Sequence, residues 1–130
     1  MQIFSKEIIK KKARGSIVNI ASIVGQIGFN QLSLYASSKG ALISLTKSFA
    51  TEMAKRNIRA NIISPGFIKT SYYNKFKKKK KLYKWTLNRI PLKRWGEPGE
   101  VSKLIEFLIS DNSRYINGEN LNIDGGWLSS

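Results

Sequence analysis

Apolar and polar positions along the chain follow two different periods, one typical of helices and one typical of short buried strands. Residues 2–13 carry apolar side chains on one side and lysines elsewhere, which predicts an amphipathic helix. The apolar side consists of Ile3, Phe4, Ile8 and Ile9. Residues 16–21 form a short and mostly apolar run, which predicts a strand buried on both faces.

The longest helical pattern covers residues 33–54. Its apolar positions recur at spacings of three and four residues and are Leu42, Leu45, Phe49 and Met53. The opposite side carries the small residues Ser37, Gly40, Ala41, Ser44 and Ser48. Small side chains allow another backbone to approach closely, so we expect this side of the helix to pack on a partner helix.

Two further strands are predicted at residues 58–63 and 120–123, and each ends in a glycine-containing turn. A strand, a helix of about twenty residues and a second strand predict a right-handed parallel crossover. After the strand at residues 58–63, residues 67–95 look irregular or weakly helical, and a segment of this length suggests a functional lid. The sequence therefore predicts a single α/β domain over residues 1–130.

A last helix is predicted to begin at Glu97. Proline lies in its first turn, and acidic residues there suit the helix dipole. The predicted buried face consists of Val101, Leu104, Ile105 and Leu108. Asp111 and Asn112 end the pattern.

The composition excludes several kinds of chemistry. The 130 residues contain neither cysteine nor histidine, which rules out disulfides, thiolate nucleophiles and a Ser-His-Asp triad. The eight carboxylates show no metal-ligand spacing. Serine, tyrosine, lysine and backbone groups are the remaining candidates for catalysis.

The net charge of +15 is concentrated, because seven lysines lie between positions 75 and 84. Such a run attracts nucleic acid, anionic membranes or acidic substrates, but it is also typical of a solvated loop, which we favour. No apolar run approaches the roughly 18 residues of a membrane span, and the start lacks a signal-peptide pattern. We therefore expect a cytoplasmic protein that does not bind membranes, and we favour a solvated loop over a nucleic-acid-binding surface for the lysine run.

Candidate catalytic residues lie where parallel sheets bind ligands, beyond the carboxyl ends of the strands. Ser22 directly follows the first predicted strand, and Tyr35 and Lys39 lie one helical turn apart on one face. A nearby ammonium favours the phenolate form of a tyrosine, which suits a general acid–base. A serine can hydrogen-bond an oxygen that gains charge. A surface tyrosine beside a solvated lysine is the alternative interpretation of the pair.

The order and spacing of these motifs resemble the short-chain dehydrogenase/reductase family. The segments GSIVNIAS (15–22) and YASSK (35–39) resemble its signature, with thirteen residues from Ser22 to Tyr35 and four from Tyr35 to Lys39. NIRANIISPGFIKT (57–70) resembles the following strand and cofactor loop. PLKRWGEP (91–98), FLISD (107–111), Gly118 and DGG (124–126) resemble the carboxyl-terminal region.

This resemblance implies a fold and a set of roles. The fold would be the carboxyl-terminal half of a Rossmann-type, doubly wound parallel sheet, with about three strands and flanking helices. Tyr35 would transfer the proton, Lys39 would assist it and hold the nicotinamide ribose, and Ser22 would fix the substrate oxygen. The cofactor would be NAD or NADP, contacted by Tyr35, Lys39, Pro65, Gly66, Ile68 and Thr70. The partners would be a small alcohol or carbonyl substrate and further copies of the chain, in a homodimer or homotetramer.

One part of the family pattern has no counterpart in the sequence. Members begin with a strand, a glycine-rich turn and a helix that bind the pyrophosphate, and Gly25 and Gly28 lack the required spacing. We therefore expect a truncated or split protein that is inactive alone, and the residue that selects NAD or NADP is not identifiable.

Several substrate and function hypotheses stay open. RWGEP (94–98) resembles gluconate 5-dehydrogenases, and 3-oxoacyl-carrier-protein reductases are nearly as close. An acyl-carrier protein is acidic and would suit the lysine run. A non-catalytic interaction module is the alternative from another class. A basic nucleic-acid binder, whose affinity would fall steeply with salt, is the third.

Overall fold

A computed structural model describes all 130 residues, which build a three-stranded parallel sheet flanked by helices. The strands are β1 (Gly15–Ile20), β2 (Ile58–Pro65) and β3 (Asn120–Ile123), in the order β1-β2-β3. Gly15 lies opposite Ile58, and Ile62 lies opposite Asn120. The predicted α/β fold with three parallel strands is confirmed.

The helices are α1 (Gln2–Lys10), α2 (Ser33–Met53), α3 (Tyr73–Lys77), α4 (Lys80–Arg89) and α5 (Pro98–Ile109). Side chains of β2 alternate between the two layers of helices. On one face Ala60 packs in the cluster that contains Ala50 of α2, whereas on the other Arg59 donates hydrogen bonds to Leu108 O and Ser110 O at the end of α5. Helices thus cover both faces of the sheet, as in doubly wound folds.

Burial differs between the central strand and the edge strand. Ile58, Ile62 and Ile63 of β2 are completely buried, but the residues of β1 are only half-buried and Ile20 is exposed. The prediction of a first strand buried on both faces is therefore wrong. The physical reason is that β1 lies at the edge of this sheet and β2 lies at its centre.

The buried face of α2 differs from the predicted one. Ile43, Thr46 and Ala50 face the sheet at spacings of three and four, whereas Leu45 is 54% exposed. Thr46 fits this apolar interface because its hydroxyl donates to Leu42 O at 2.6 Å and accepts a hydrogen bond from the Asn19 amide at 2.7 Å. Leu45, one of the predicted apolar positions, is therefore not buried. Thr46, whose hydroxyl makes both hydrogen bonds, occupies the sheet-facing position instead.

The first helix is shorter than predicted. It ends at Lys10 instead of continuing to residue 13, and Lys12 adopts a left-handed backbone with φ of 51°. Ile8 packs against the core cluster around Phe49, but Ile3 is 82% exposed. The predicted apolar side of the helix is thus only partly covered.

The segment between β2 and α5 is more ordered than its sequence indicates. It contains the short helices α3 and α4, which pack around the buried Trp95. The Trp95 indole N–H donates to Thr86 Oγ1 at 2.9 Å, and the Tyr73 and Tyr83 hydroxyls are 3.0 Å apart. We call residues 67–95 the lid segment. That it acts as a lid stays a prediction.

The base of the lid segment is clamped to the start of α5. Lys69 N donates to Gly96 O and Gly96 N donates to Phe67 O, each at 2.9 Å, and Lys69 pairs with Glu97. Glu97 and Glu100 form a capping box at the start of α5. The Arg94 guanidinium, with help from the Glu97 backbone, lowers the pKa of Glu100 to about 2. Glu100 is therefore ionised at neutral pH.

Of the predicted α5 face only Leu108 is fully buried, and Val101, Leu104 and Ile105 are half-buried. No helix of the protein has the length and apolar character that crossing a membrane requires. The cytoplasmic location stays a prediction.

Candidate active site

Ser22 lies two residues beyond the end of β1 and is buried. Its hydroxyl oxygen accepts a hydrogen bond from Val24 N at 3.2 Å and so caps the 3-10 turn Ile23–Gly25. A hydroxyl has one donor and two acceptor positions. The serine proton is therefore free to be donated to a ligand oxygen.

Tyr35 and Lys39 lie in the first two turns of α2, and the Tyr35 side chain remains 45% exposed. The Lys39 ammonium donates to Ile20 O, the last carbonyl of β1, at 3.0 Å. It also lies 5.7 Å from the centroid of the Tyr35 ring. The bond to β1 thus fixes a positive charge next to the phenol.

Gly25 brings the turn of Ser22 against the helix of Tyr35 and Lys39. A Cβ atom at Gly25 would lie 2.8 Å from the Lys39 carbonyl carbon and 2.9 Å from Gly40 N. These neighbours are backbone atoms of a regular helix, so they cannot move aside as a flexible side chain does. Glycine at this position therefore sets the distance between the serine and the helix.

We expect Gly25→Ala to lower the free energy of unfolding by about 1–3 kcal/mol, as overpacking of a close contact does. Gly28 lies in the same loop, and a Cβ there would meet nothing within 4 Å. Gly28→Ala is thus the matched control, with an expected change within about 0.5 kcal/mol. Urea denaturation of both variants measures the difference. Equal stabilities would contradict the close approach.

The loop after β2 brings backbone to the same edge of the sheet. Gly66 N donates to Ile123 O at 3.0 Å, and a Cβ at Gly66 would lie 2.9 Å from the Asp124 Cα. Ile68 forms an isolated bridge with Gly96, so the clamp at the base of the lid segment fixes its position. Thr70 follows and is exposed.

All seven residues singled out from the sequence line one cavity of about 610 Å³ beyond the carboxyl ends of β1 and β2. They are Ser22, Tyr35, Lys39, Pro65, Gly66, Ile68 and Thr70. The expectation that a site lies at this edge of the sheet agrees with the geometry. The roles assigned to these residues stay predictions.

Much of the cavity wall consists of residues that the sequence does not single out. Phe67, Tyr72, Phe76 and Trp95 line it, together with Val101 and Ser102 of α5. The density of aromatic residues between positions 67 and 95 was the available signal. This density indicates a packed segment, but it does not indicate the direction in which each ring faces.

A second cavity of about 700 Å³ adjoins the first. The two share Phe67, Tyr72 and Phe76 as wall residues. The loop after Ser22, the helix α4 and Trp127 form the rest of the second wall. A ligand that reaches Tyr35 from this side would have aromatic rings along its path.

Comparison with known proteins identifies the family. A family model described as enoyl-(acyl carrier protein) reductase matches residues 1–128. The 3-oxoacyl-[acyl-carrier-protein] reductase of Thermotoga maritima is 47% identical over 116 residues, which cover 89% of this chain and 46% of that protein. The chain belongs to the short-chain dehydrogenase/reductase family. This confirms the resemblance seen in the sequence.

Other relatives agree on the family and differ in their substrates. The 2-dehydro-3-deoxy-D-gluconate 5-dehydrogenase of Bacillus subtilis is 41% identical over 119 residues, covering 92% of this chain and 47% of that protein. The chain thus spans about half the length of the curated relatives that it matches.

Solved structures of the family superpose closely on the chain. A putative 2-deoxy-D-gluconate 3-dehydrogenase from Agrobacterium tumefaciens, with bound NADP, has a TM-score of 0.96 at 36% identity over 99% of this chain and 52% of its own. A 4-hydroxyisoleucine dehydrogenase complexed with NADH also has a TM-score of 0.96, at 41% identity over 99% of this chain and 53% of its own. The Rossmann-type fold is thereby confirmed.

Proposed function

We propose that the chain provides the proton-transfer site of an NAD(P)-dependent oxidoreductase that interconverts an alcohol and a carbonyl. The observation that supports this most strongly is the convergence of Ser22, Tyr35 and Lys39 on one cavity at the carboxyl ends of the strands. Short-chain dehydrogenase/reductase relatives that carry NADP or NADH have the same fold.

Each of the three side chains has a distinct part in the reaction. The Tyr35 hydroxyl donates its proton to the carbonyl oxygen during reduction and recovers it during oxidation. The Lys39 ammonium, held by Ile20 O, stabilises the phenolate that this transfer leaves behind. The Ser22 hydroxyl donates to the same substrate oxygen, because its oxygen only accepts from Val24 N and its proton is free.

The chain fits the nicotinamide end of NAD or NADP. Lys39 keeps two N–H groups beyond its bond to Ile20 O, and they are available for ribose hydroxyls. The bare backbone of Gly66 and the apolar ring of Pro65 suit a planar group, and Thr70 would contact the phosphates. When bound, the nicotinamide supplies or accepts the hydride.

The substrate would be a sugar acid or polyol, as the names of the gluconate-type relatives suggest. A specific observation favours a second candidate, an acyl group on an acidic carrier protein. The lysines between positions 75 and 84 are all exposed on α3, α4 and the turn between them, beside the second cavity. An acidic carrier would be attracted to that surface.

A fusion protein provides the test of function. The amino-terminal half of the Thermotoga maritima reductase, joined ahead of Met1, would complete the family pattern, because this chain covers 46% of that enzyme and resembles the carboxyl-terminal region of the family. We expect this fusion to oxidise NADPH or NADH with a keto acid or an acyl-carrier substrate. A folded fusion that binds the dinucleotide but turns over no carbonyl would favour the non-catalytic interaction module instead.

We also infer that α2 forms an interface between copies of the chain. The small-residue side predicted from the sequence is exposed at Ser37, Ala41, Ser44 and Ser48, and Leu45 beside it is exposed as well. An apolar leucine among small residues is typical of a surface that another helix covers, commonly across a two-fold axis.

We expect Ser44→Trp to shift the chain from dimer or tetramer towards monomer, because a large ring prevents close approach of two helices. Lys103→Trp, on an exposed position of α5, is the control and leaves the oligomer intact. Sedimentation velocity measures both masses. An unchanged mass for Ser44→Trp would count against this interface.

A further inference from the structure

The second cavity contains cationic side chains and no anionic one. Fourteen residues line it, and the only charged residues among them are Lys79 and Arg89. Neither takes part in any of the three ion pairs of the chain, which are Lys69–Glu97, Arg94–Glu100 and Arg114–Asp111. The cavity therefore presents uncompensated positive charge to whatever enters it.

Arg89 is held in place by an aromatic ring. Its guanidinium carbon lies 4.9 Å from the centroid of the Trp127 ring, and Trp127 is 99% buried, since only 1% of its surface is exposed. A guanidinium stacked on a fixed ring loses less freedom on binding than a free lysine does. Its planar fork of N–H donors then suits the two oxygens of a carboxylate or phosphate.

Six of the fourteen wall residues are aromatic. Trp127 stacks on Phe29 with ring centroids 5.9 Å apart, and Trp85 meets Trp127 edge-on at 5.4 Å. Trp85 is 43% exposed, so part of this apolar surface is open to a ligand. Apolar walls with a few fixed polar groups are typical of small-molecule sites.

We propose that this cavity binds the part of the substrate remote from the reacting carbonyl, and that this part is an organic oxyanion attached to an apolar segment. Arg89 binds the carboxylate or phosphate, assisted by Lys79, and the apolar segment lies on the exposed part of the Trp85 ring, which Trp127 supports from behind. The shared wall at Phe67, Tyr72 and Phe76 lets one molecule extend from this cavity to Tyr35. The assignment rests on the proposed oxidoreductase function, because that function places the carbonyl at Tyr35.

The test uses the 130-residue chain and small probes that need neither cofactor nor turnover. The probes are 3-phenylpropionate, phenyl phosphate and the neutral isostere 3-phenylpropionamide. Binding is followed by NMR through the indole N–H signals of Trp85 and Trp127. We expect both anions to shift these signals and to bind about three- to tenfold more tightly than the amide. If only one anion does so, that result identifies the oxyanion as carboxylate or phosphate.

Matched variants separate a local anion site from the general charge of the chain. Arg89→Gln should weaken anion binding about three- to tenfold and leave the amide unchanged, and Arg89→Lys should retain part of the preference. Lys79→Gln gives a second variant at the same wall. Lys78→Gln removes the same charge from an exposed position that does not line the cavity and should have no effect.

Each outcome bears on the proposal. Equal affinities for anion and amide, or equal losses in Arg89→Gln and Lys78→Gln, would overturn it. If the fusion protein fails to turn over any carbonyl but the anions still bind through Arg89, the oxyanion site stands and the oxidoreductase function falls. If turnover occurs and neutral ketones are used as well as their carboxylate analogues, only the substrate class is wrong.

Discussion

Tyr35→Phe is expected to lower kcat of the fusion protein by about 10²- to 10⁴-fold, the range associated with loss of a positioned general acid–base. The substitution removes one hydroxyl and keeps the ring that lines the cavity. Affinity for the dinucleotide should therefore change little. Stopped-flow measurement of carbonyl reduction, together with calorimetric titration of NADPH, separates the two effects.

Two other variants make this result specific. Tyr72 lines the same cavity and is also exposed, so Tyr72→Phe removes a hydroxyl from the same wall and should retain most activity. Lys39→Met should reduce both kcat and dinucleotide affinity, because one ammonium serves the phenolate and the ribose. Activity of Tyr35→Phe comparable with that of the parent would refute the assignment of the proton donor.

The sequence could place the candidate site residues together because they follow strand ends. Once residues 16–21 and 58–63 are assigned to parallel strands, the carboxyl ends meet at one edge. Ser22 and Gly66 then have to lie there, and a helix that begins shortly before Tyr35 brings Lys39 to the same place. Strand alternation and helical spacing are local properties, so they are visible in one sequence.

The face of α2 shows where such local properties are insufficient. Leu45 belongs to the apolar period of the helix, whereas Thr46 actually faces the sheet. The threonine is satisfied there by Asn19 of β1, a partner 27 residues away in sequence. A hydrogen bond between distant segments decides the orientation, and no periodicity of the helix itself reports it.

The lid segment was unpredictable for a related reason. Its helices α3 and α4 are held by tyrosine and tryptophan contacts around Trp95. Five consecutive lysines, Lys77, Lys78, Lys79, Lys80 and Lys81, interrupt any clear apolar period in the sequence of these helices. The pairing of Arg89 with Trp127 joins residues 38 positions apart. The oxyanion site therefore emerges only from the tertiary structure.

The 130-residue chain by itself, not joined to the amino-terminal half used in the fusion protein, should bind NADH no better than it binds reduced nicotinamide mononucleotide. The cavity of about 610 Å³ offers contacts for the nicotinamide and its ribose through Tyr35, Lys39 and Gly66. Among the 130 residues, none forms the glycine-rich turn and helix N-terminus that usually bind the pyrophosphate. We expect dissociation constants on the order of 1 mM or weaker for both ligands, and no hydride transfer.

Calorimetric titration of the chain and of the fusion protein tests this expectation with the same two ligands. The fusion should prefer NADH to the mononucleotide by at least about 100-fold, since a phosphate-binding helix N-terminus and the adenosine contacts are then present. The chain alone should show no preference. The chain alone should also be less soluble than the fusion. The outer edge of β1 is unpaired in the chain, and exposed strand edges promote association. Micromolar binding of NADH to the chain alone would mean that these residues hold the pyrophosphate by a different arrangement, in which the basic lid segment would be the first place to look.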